Sequence, residues 1–593
     1  MIKKVTLQHF KMFRHETFDI SDNIVLVGPN NSGKTTLLQA IAVWNLALRK
    51  WLAERRPVKP EIQTGTRLLK RKSEAHERTG VPITRKDFTA LPLREMGLLW
   101  TSRSTALFKD ELRDGQKLGT PRPLSITLDV SDPLGKQPDW SLGMEFRYSN
   151  QELVYAKPAT TPSDDLLETF RNLQVVHVPP FSGIGAEETR YDNAYQDLLI
   201  GQGRPGEILR NLLLTVYQGQ PDTWQELCKD VREIFGYEML PPAYEGRPFI
   251  LCEYEPGVPP KGKHGNLPKL DISCAGSGFL QVLMLLGFYY ARPASVLLLD
   301  EPDAHLHVIL QKQVYDRLRE TARRRGCQLL IATHSEVLVD GTSPDRILSF
   351  FMGPHPHRLG VDAERGQVRE ALKRLTSLDL LMAEQSPGIL YVEGESDLNL
   401  LREWAGVLKH DAYPFLAHHP FWHSNQGRNP REARDHFFAL QAVRPDIRGV
   451  LILDGDNRQL PDQDHDLAAD GLTVLRWKRY EAESYLVHPK ALERFLQGEQ
   501  QDLFTRQKAE KGMEYLRNEL APGVLKDPLG DHDYLNATAA SKTLLPGFFK
   551  AAGVPMTKNE YYQIAAQMRP AEIPGEVREK LDAICKLLGI KTT

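Results

Sequence analysis

Apolar residues in this chain fall into short continuous runs separated by stretches of helical spacing, the pattern of buried parallel strands alternating with helices. Asn23-Ile-Val-Leu-Val-Gly28 is one such run, and Thr35-Thr-Leu-Leu-Gln-Ala-Ile-Ala-Val-Trp44 follows as a helix. Ala294-Ser-Val-Leu-Leu-Leu-Asp300 and Gln328-Leu-Leu-Ile-Ala-Thr333 predict two more buried strands, with an apolar helix over Phe279–Tyr290 before them. The opening Met1-Ile-Lys-Lys-Val-Thr-Leu-Gln alternates like a strand with one face in a core. The pattern then restarts. Gly388-Ile-Leu-Tyr-Val-Glu393 reads as a buried strand, Asp397 to Ala405 as a helix, and Arg448-Gly-Val-Leu-Ile-Leu-Asp454 as another buried strand. Turn markers at Pro354-His-Pro-His-Arg358 and Gln385-Ser-Pro-Gly388 flank a charged helix, Glu364 to Leu381, that closes the first series. The chain is therefore predicted to be α/β, with one domain over 1–385 and a smaller parallel-sheet domain over 386–593.

Composition narrows this picture only slightly. With 593 residues, more than one core is expected, and 41% hydrophobic with 26% charged residues describes an ordinary globular chain. The longest apolar run, Gly278 to Tyr290, is too short to cross a membrane and is followed by Arg292, so a cytoplasmic location with no membrane partner is expected. Five scattered cysteines without a C-x-x-C pair argue for a reducing compartment. A net charge of -2 gives no global nucleic-acid signature, so such a partner must be held by local patches. One candidate patch is the basic insertion at about 49–86, with Arg55-Arg56 and Lys70-Arg-Lys72; it reads equally as a phosphate-facing loop or a solvated insertion. Ser182 to Leu213 reads as a loop feeding a helix, and Pro256 to Lys269 as a connector. No long heptad run occurs.

Two sets of residues carry chemistry. Gly28-Pro-Asn-Asn-Ser-Gly-Lys-Thr35 fits G-x-x-x-x-G-K-[ST] between a strand and a helix, where backbone N–H groups and the helix N-terminus surround a phosphate. Asn30, Asn31, Ser32, Gly33, Lys34, Thr35 and Thr36 form the expected cradle for ATP, with Lys34 on the β/γ-oxygens and Thr35 on Mg²⁺. Asp300, ending its strand, would hold Mg²⁺ through water, and Glu301 would polarise the attacking water. His334, after the next strand, would touch the γ-phosphate; Ser273, Gly276 and Ser277 open the apolar helix as a small-residue N-terminus. These residues resemble ABC-type ATPases of the branch that contains Rad50, SMC and RecF proteins, as do Val5-Thr-Leu-Gln-His-Phe10 and Glu301-Pro-Asp-Ala-His305. The signature departs from L-S-G-G-Q, reading Ser273-Cys-Ala-Gly-Ser-Gly278. The resemblance implies sites completed between two heads, hence a homodimer or higher oligomer in which Ser273, Gly276 and Ser277 meet the partner's nucleotide.

The second set is acidic. Glu393 ends one strand, Asp397 follows it, and Asp454 and Asp456 end the next, so four carboxylates could gather around one or two divalent ions. Gly394 and Gly455 would let the backbone come close to those oxygens. The pattern resembles the Toprim domain, which implies metal-dependent phosphodiester chemistry with Glu393 and Asp454 in catalytic roles. Farther on, Glu483 is a further candidate ligand, Lys478 and Arg479 would flank the scissile phosphate, and Glu481 reads as an exposed helix cap. Lys542, at a predicted helix start, would neutralise transition-state charge, with Lys558 as its competitor.

An ABC-type head followed by Toprim resembles the OLD (overcoming lysogenisation defect) family of nucleases. That resemblance implies an ATP-regulated endonuclease using Mg²⁺ or Mn²⁺, acting on nucleic acid, DNA first, in antiphage defence, with a partner protein or RNA from the same operon. Two alternatives stay open. One is an ATPase–Toprim effector cleaving host RNA such as tRNA, to which Tyr480-Glu-Ala-Glu483-Ser-Tyr-Leu486 is similar. The other is a RecF- or SMC-like DNA-binding ATPase without nuclease activity.

Overall fold

The Ile24–Val27 run forms an inner strand of a six-stranded sheet, because all four of its side chains are buried on both faces. In the computed structural model the sheet order is His357–Arg358, Ile347–Ser349, Ile24–Val27, Gln328–Thr333, Val296–Asp300, Val175–Val178; all pairings are parallel except the first. The structure describes the chain apart from residues 21, 55–79, 89–90, 92, 109–119, 132–138, 257–267, 293, 352–354, 419, 426–430, 456–470, 499–502 and 591–593. Most of the basic insertion (Arg55, Arg56 and Lys70 to Lys72 included), most of the 256–269 connector and Asp456 therefore lie outside the described residues.

Two compact units divide the chain, Met1–Leu372 and Lys373–Thr593. In the first, helix Lys34–Glu54 lies between two sheets. Its Leu38, Ile41, Trp44 and Leu48 share a core with Ile24, Leu26, Val296 and Leu298 from one face of the parallel sheet. The same core takes the inner residues of a second, antiparallel six-stranded sheet built on Ile2–Phe10 and Leu124–Val130. The opposite face of the parallel sheet (Val25, Leu297, Leu299, Ile331) packs against helices Leu209–Gln218, Ser277–Ala291 and Val308–Arg325. Strand residues alternate between the two cores with period two, as pleating requires.

The second unit is built on four parallel strands in the order Trp422–Ser424, Ile389–Val392, Gly449–Leu453, Leu472–Arg476. Leu390, Val392, Val450 and Ile452 face helix Glu395–Leu408 and the C-terminal helices; Ile389, Tyr391, Leu451 and Leu453 face helix Arg431–Gln441. The register sets Tyr391 opposite Leu451, so Glu393 and Asp454 emerge at the same end of neighbouring strands.

The predicted helix over 364–381 is in fact two. Asp362–Arg374 ends, and Ser377–Gln385 begins at a capping box in which Thr376 Oγ1 accepts from the Asp379 N–H while the Asp379 carboxylate accepts from the Thr376 N–H. Ala383 of the second helix is buried with Ile389 and Tyr391.

Candidate functional site

In the N-terminal unit the phosphate loop closes between Val27 and Lys34 because its backbone can take left-handed conformations. Asn31 has φ 62° and Gly33 φ 105°, and a Cβ on Gly33 would collide with the Phe13 ring. Lys34, 4% exposed, donates from Nζ to the carbonyl oxygens of Gly28 (2.9 Å) and Pro29 (2.7 Å). Burial pulls its pKa down to about 8, against the attraction of Glu301 and Asp300. The Thr35 hydroxyl donates to Asp300 Oδ1 at 2.9 Å, which joins the helix to the end of the Val296–Asp300 strand. Burial pushes the Asp300 carboxyl up to about 6, with Glu301 beside it adding in the same direction. His334 Nε2 lies 3.4 Å from Glu301 Oε1, and this contact holds the Glu301 carboxyl below its usual range.

Asn30 through Thr36, Glu301 and His334 line one open cleft. Met12, from the turn between Ile2–Phe10 and Phe13–Asp19, lines it too; no periodicity in the sequence marks that residue, only its place between two strands. Ser32 Oγ is buried without a hydrogen-bond partner among the described residues. A buried hydroxyl without a partner, an ammonium held only by carbonyls, and a hydroxyl–carboxylate pair suit a magnesium-bound polyphosphate. Ser273, Gly276 and Ser277 are exposed at the start of helix Ser277–Ala291 and do not line this cleft. Their loop is braced from beneath: Asp271 accepts from the Ser273 N–H and from Arg210 Nη2, both within 2.8 Å. In the 182–213 region Glu188 is buried and accepts from the N–H groups of Arg210 and Asn211, the first turn of helix Leu209–Gln218.

Because a phosphate binds the charged form of Lys34, the contribution of this lysine to ATP affinity should be flat below pH 8. It should then weaken above pH 8 by up to about tenfold per unit as the ammonium loses its proton. Titrating a fluorescent ATP analogue at pH 7.5 and 9.5 checks this; equal dissociation constants would refute it.

In the C-terminal unit acids crowd the strand ends. Asp397 (7% exposed), Asp454 (8%), Glu481 (4%) and Glu483 (0%) are buried, and Glu393 is partly exposed. Desolvation, with Glu393, Asp397, Glu483 and Glu481 nearby, drives the Asp454 carboxyl far above its usual range, to about 10. Asp397 is raised to about 6, mainly by burial and opposed by Lys558. Lys558 Nζ stands 3.0 Å from Glu483 Oε1, while Glu483 Oε2 is buried without a hydrogen-bond partner among the described residues. The Ala482 N–H donates to Asp454 Oδ1 at 3.2 Å, and the Gly394 N–H to Asp397 Oδ2 at 3.0 Å.

Several expectations change here. Lys542 is exposed on the turn before helix Leu544–Ala551, next to Ser541, whose N–H donates to Glu481, while Lys558 is the lysine paired with Glu483. Glu481 is no exposed cap, since it is buried and accepts from the Ser541 N–H. Arg479 cannot flank a phosphate: its buried guanidinium donates to the carbonyls of Ser484, Pro528 and Gly530 and lies 4.9 Å from the centre of the Tyr485 ring. Gly394 has room for a Cβ, which would meet only Ser396 Oγ at an ordinary 3.9 Å, whereas Gly455 is required, because a Cβ there would run into the Arg479 carbonyl. Among the described residues no three His, Cys, Asp or Glu side chains form a ready-made metal cage; Asp456 lies outside that set.

Both family-model matches fall within the N-terminal unit. Residues 1–49 match the family model described as "AAA ATPase domain", and residues 261–340 match "AAA domain, putative AbiEii toxin, Type IV TA system". The two matched stretches contain the phosphate loop with Lys34 and Thr35, and Ser273–Ser277, Asp300, Glu301 and His334. Together with the cleft geometry they support an ATPase domain with ATP and Mg²⁺ as ligands. No curated protein matches the chain. Similar solved structures include the SMC head domain from Thermotoga maritima, at 13% identity and TM-score 0.30, over 61% of this chain and 99% of that one. Another is an SMC head with an extended coiled coil, bound to a ScpA C-terminal domain derived from Pyrococcus furiosus. It has 13% identity and TM-score 0.32, over 59% of this chain and 92% of that one. Among the described residues no helix is long and apolar enough to cross a membrane.

Proposed function

We propose that this protein is an ATP-regulated, divalent-metal-dependent nuclease of the OLD type, whose C-terminal unit is a Toprim-like phosphodiesterase. The observation that carries the reading is the crowd formed by Glu393 and Asp454 at the ends of neighbouring parallel strands, Asp397 on the first turn of helix Glu395–Leu408 and Glu483 in the Ala482–Leu486 turn, with the Lys558 ammonium paired to Glu483. Burial first, and the neighbouring acids second, raise Asp454 to about 10, and a bound cation would relieve both the desolvation of its charge and that repulsion. Glu393, Asp397, Asp454 and Glu483 would hold Mg²⁺ or Mn²⁺, with Asp456 as a further ligand. When bound, the ion supplies Lewis-acid stabilisation of phosphate charge. Lys558, fixed by Glu483, presents a second positive charge beside that position and takes the role first given to Lys542.

The N-terminal unit binds and hydrolyses ATP. The exposed Ser273–Ser277 loop, outside its own subunit's cleft, supports completion of the site by a second copy, and hence a homodimer. Nucleic acid is the proposed substrate, with DNA favoured. A part in antiviral defence agrees with the toxin–antitoxin wording of the second family match.

The test is incubation of the purified protein with plasmid DNA and with tRNA, with Mg²⁺ or Mn²⁺, with and without ATP. Metal-dependent cutting that EDTA stops is expected. Cutting of tRNA alone would replace the DNA substrate by RNA, and no cutting under any condition would leave a DNA-binding ATPase. Light scattering should give at least twice the 67.3 kDa of one chain in ATP; a monomer there would defeat the shared site.

A further inference from the structure

Helix Ser277–Ala291 touches the turn that carries Glu301 at two points on one face. A Cβ on Gly278 would stand 3.4 Å from the His305 carbonyl oxygen, so the helix start backs directly onto the turn. Three residues later Gln281, 1% exposed, donates from Nε2 to the carbonyl oxygens of Pro302 (2.9 Å) and Glu301 (3.2 Å). Positions i and i+3 share a helix face, so both contacts fall on the same turn.

That turn is strained. Glu301 has φ 50° and His305 φ 63°, left-handed values that a non-glycine residue keeps only where its surroundings impose them. The Glu301 N–H donates to the Ala332 carbonyl, and the Thr333 hydroxyl donates to Asp303 Oδ1 at 2.6 Å; both anchor the turn from the neighbouring strand Gln328–Thr333. Gln281 anchors it from the other side. Its Oε1 is buried with no hydrogen-bond partner among the described residues, so the donor end of the amide is the end that is used. What the amide provides is a pair of hydrogen bonds to the backbone that carries the reactive carboxylate.

We propose that Gln281 is a positioning residue for ATP hydrolysis, holding the Glu301 backbone so that its carboxylate meets the attacking water. The proposal rests on the ATPase reading of the cleft. A misplacement near 1 Å costs about a hundredfold in rate, so the effect should fall on kcat.

Steady-state ATP hydrolysis by the full-length protein, with kcat and KM measured for Gln281→Met, Glu301→Gln and the double variant, tests it. Gln281→Met keeps the volume and removes the donor; it should lower kcat by about ten- to a hundredfold and leave KM within about twofold. The double variant should be no slower than Glu301→Gln, because Gln281 acts through Glu301. A Gln281→Met kcat equal to wild type, or losses that multiply in the double variant, would overturn the proposal. A wild-type rate in Glu301→Gln would remove Glu301 from catalysis and overturn this proposal, whereas no ATP turnover by the wild-type protein would overturn the ATPase reading on which it rests. If Gln281→Met does not fold, Gln281→Glu decides. A protonated glutamate can donate one of the two hydrogen bonds and an ionised one cannot, so its kcat relative to wild type should rise as pH falls from 8 to 6. A flat ratio would count against the role.

Discussion

Glu301→Gln is expected to bind ATP as wild type does and to hydrolyse it at least about a hundredfold more slowly. The carboxylate lines the cleft together with Asn30 to Thr36, and His334 holds it in its ionised form. An amide of the same shape keeps the fold of the turn but cannot accept a proton from water. Lys34→Ala should act earlier and abolish nucleotide binding, since Lys34 is the buried cation of the loop. The two variants separate binding from chemistry: Glu301→Gln should retain a fluorescent ATP analogue that Lys34→Ala loses. Turnover at the wild-type rate in Glu301→Gln would remove Glu301 from catalysis.

The second large effect concerns cutting. Asp454→Ala and Glu393→Ala should eliminate nuclease activity while leaving ATP turnover largely intact, because the acids and the phosphate cleft belong to units with separate cores. EDTA should stop cleavage, and Ca²⁺ should support it poorly. Asp454→Asn provides the control for folding. In metal-free buffer the Asp454 carboxyl titrates far above its unfolded value, so its stabilising contribution is complete only at low pH and is lost as pH rises toward about 10. Asparagine keeps the acceptor for the Ala482 N–H and removes the charge. The Asn variant should therefore melt no lower than wild type at pH 8 in EDTA. Cleavage persisting in both alanine variants would mean that the acidic crowd is not the active site. ATP hydrolysis lost in parallel would point to misfolding of the variants.

Much of the ATPase cleft was legible without coordinates, for a physical reason. A phosphate loop works through neighbouring backbone groups, so its residues must be contiguous, and the acids that face it must end buried strands; Lys34, Asp300, Glu301 and His334 followed from that. Residues 364–381 also carried a readable signal, the Thr376-Ser-Leu-Asp379 capping box, which the helical charge pattern masked.

What the sequence determined, then, was the order of strands and helices and the chemistry borne at strand ends, both set by local spacing. Tertiary structure decided the rest. Lys542 and Lys558 look alike along the chain; only the packing of the C-terminal helices pairs Lys558 with Glu483. Arg479 looked like a phosphate ligand until the carbonyls of Pro528 and Gly530, about fifty residues away, and of nearby Ser484 claimed its guanidinium. Gln281 read as one more residue of an apolar helix, because its partners on the Glu301 turn come from another element. In each case the deciding partner is remote in sequence, and no period or motif records which polar groups a folded core will leave in need of one.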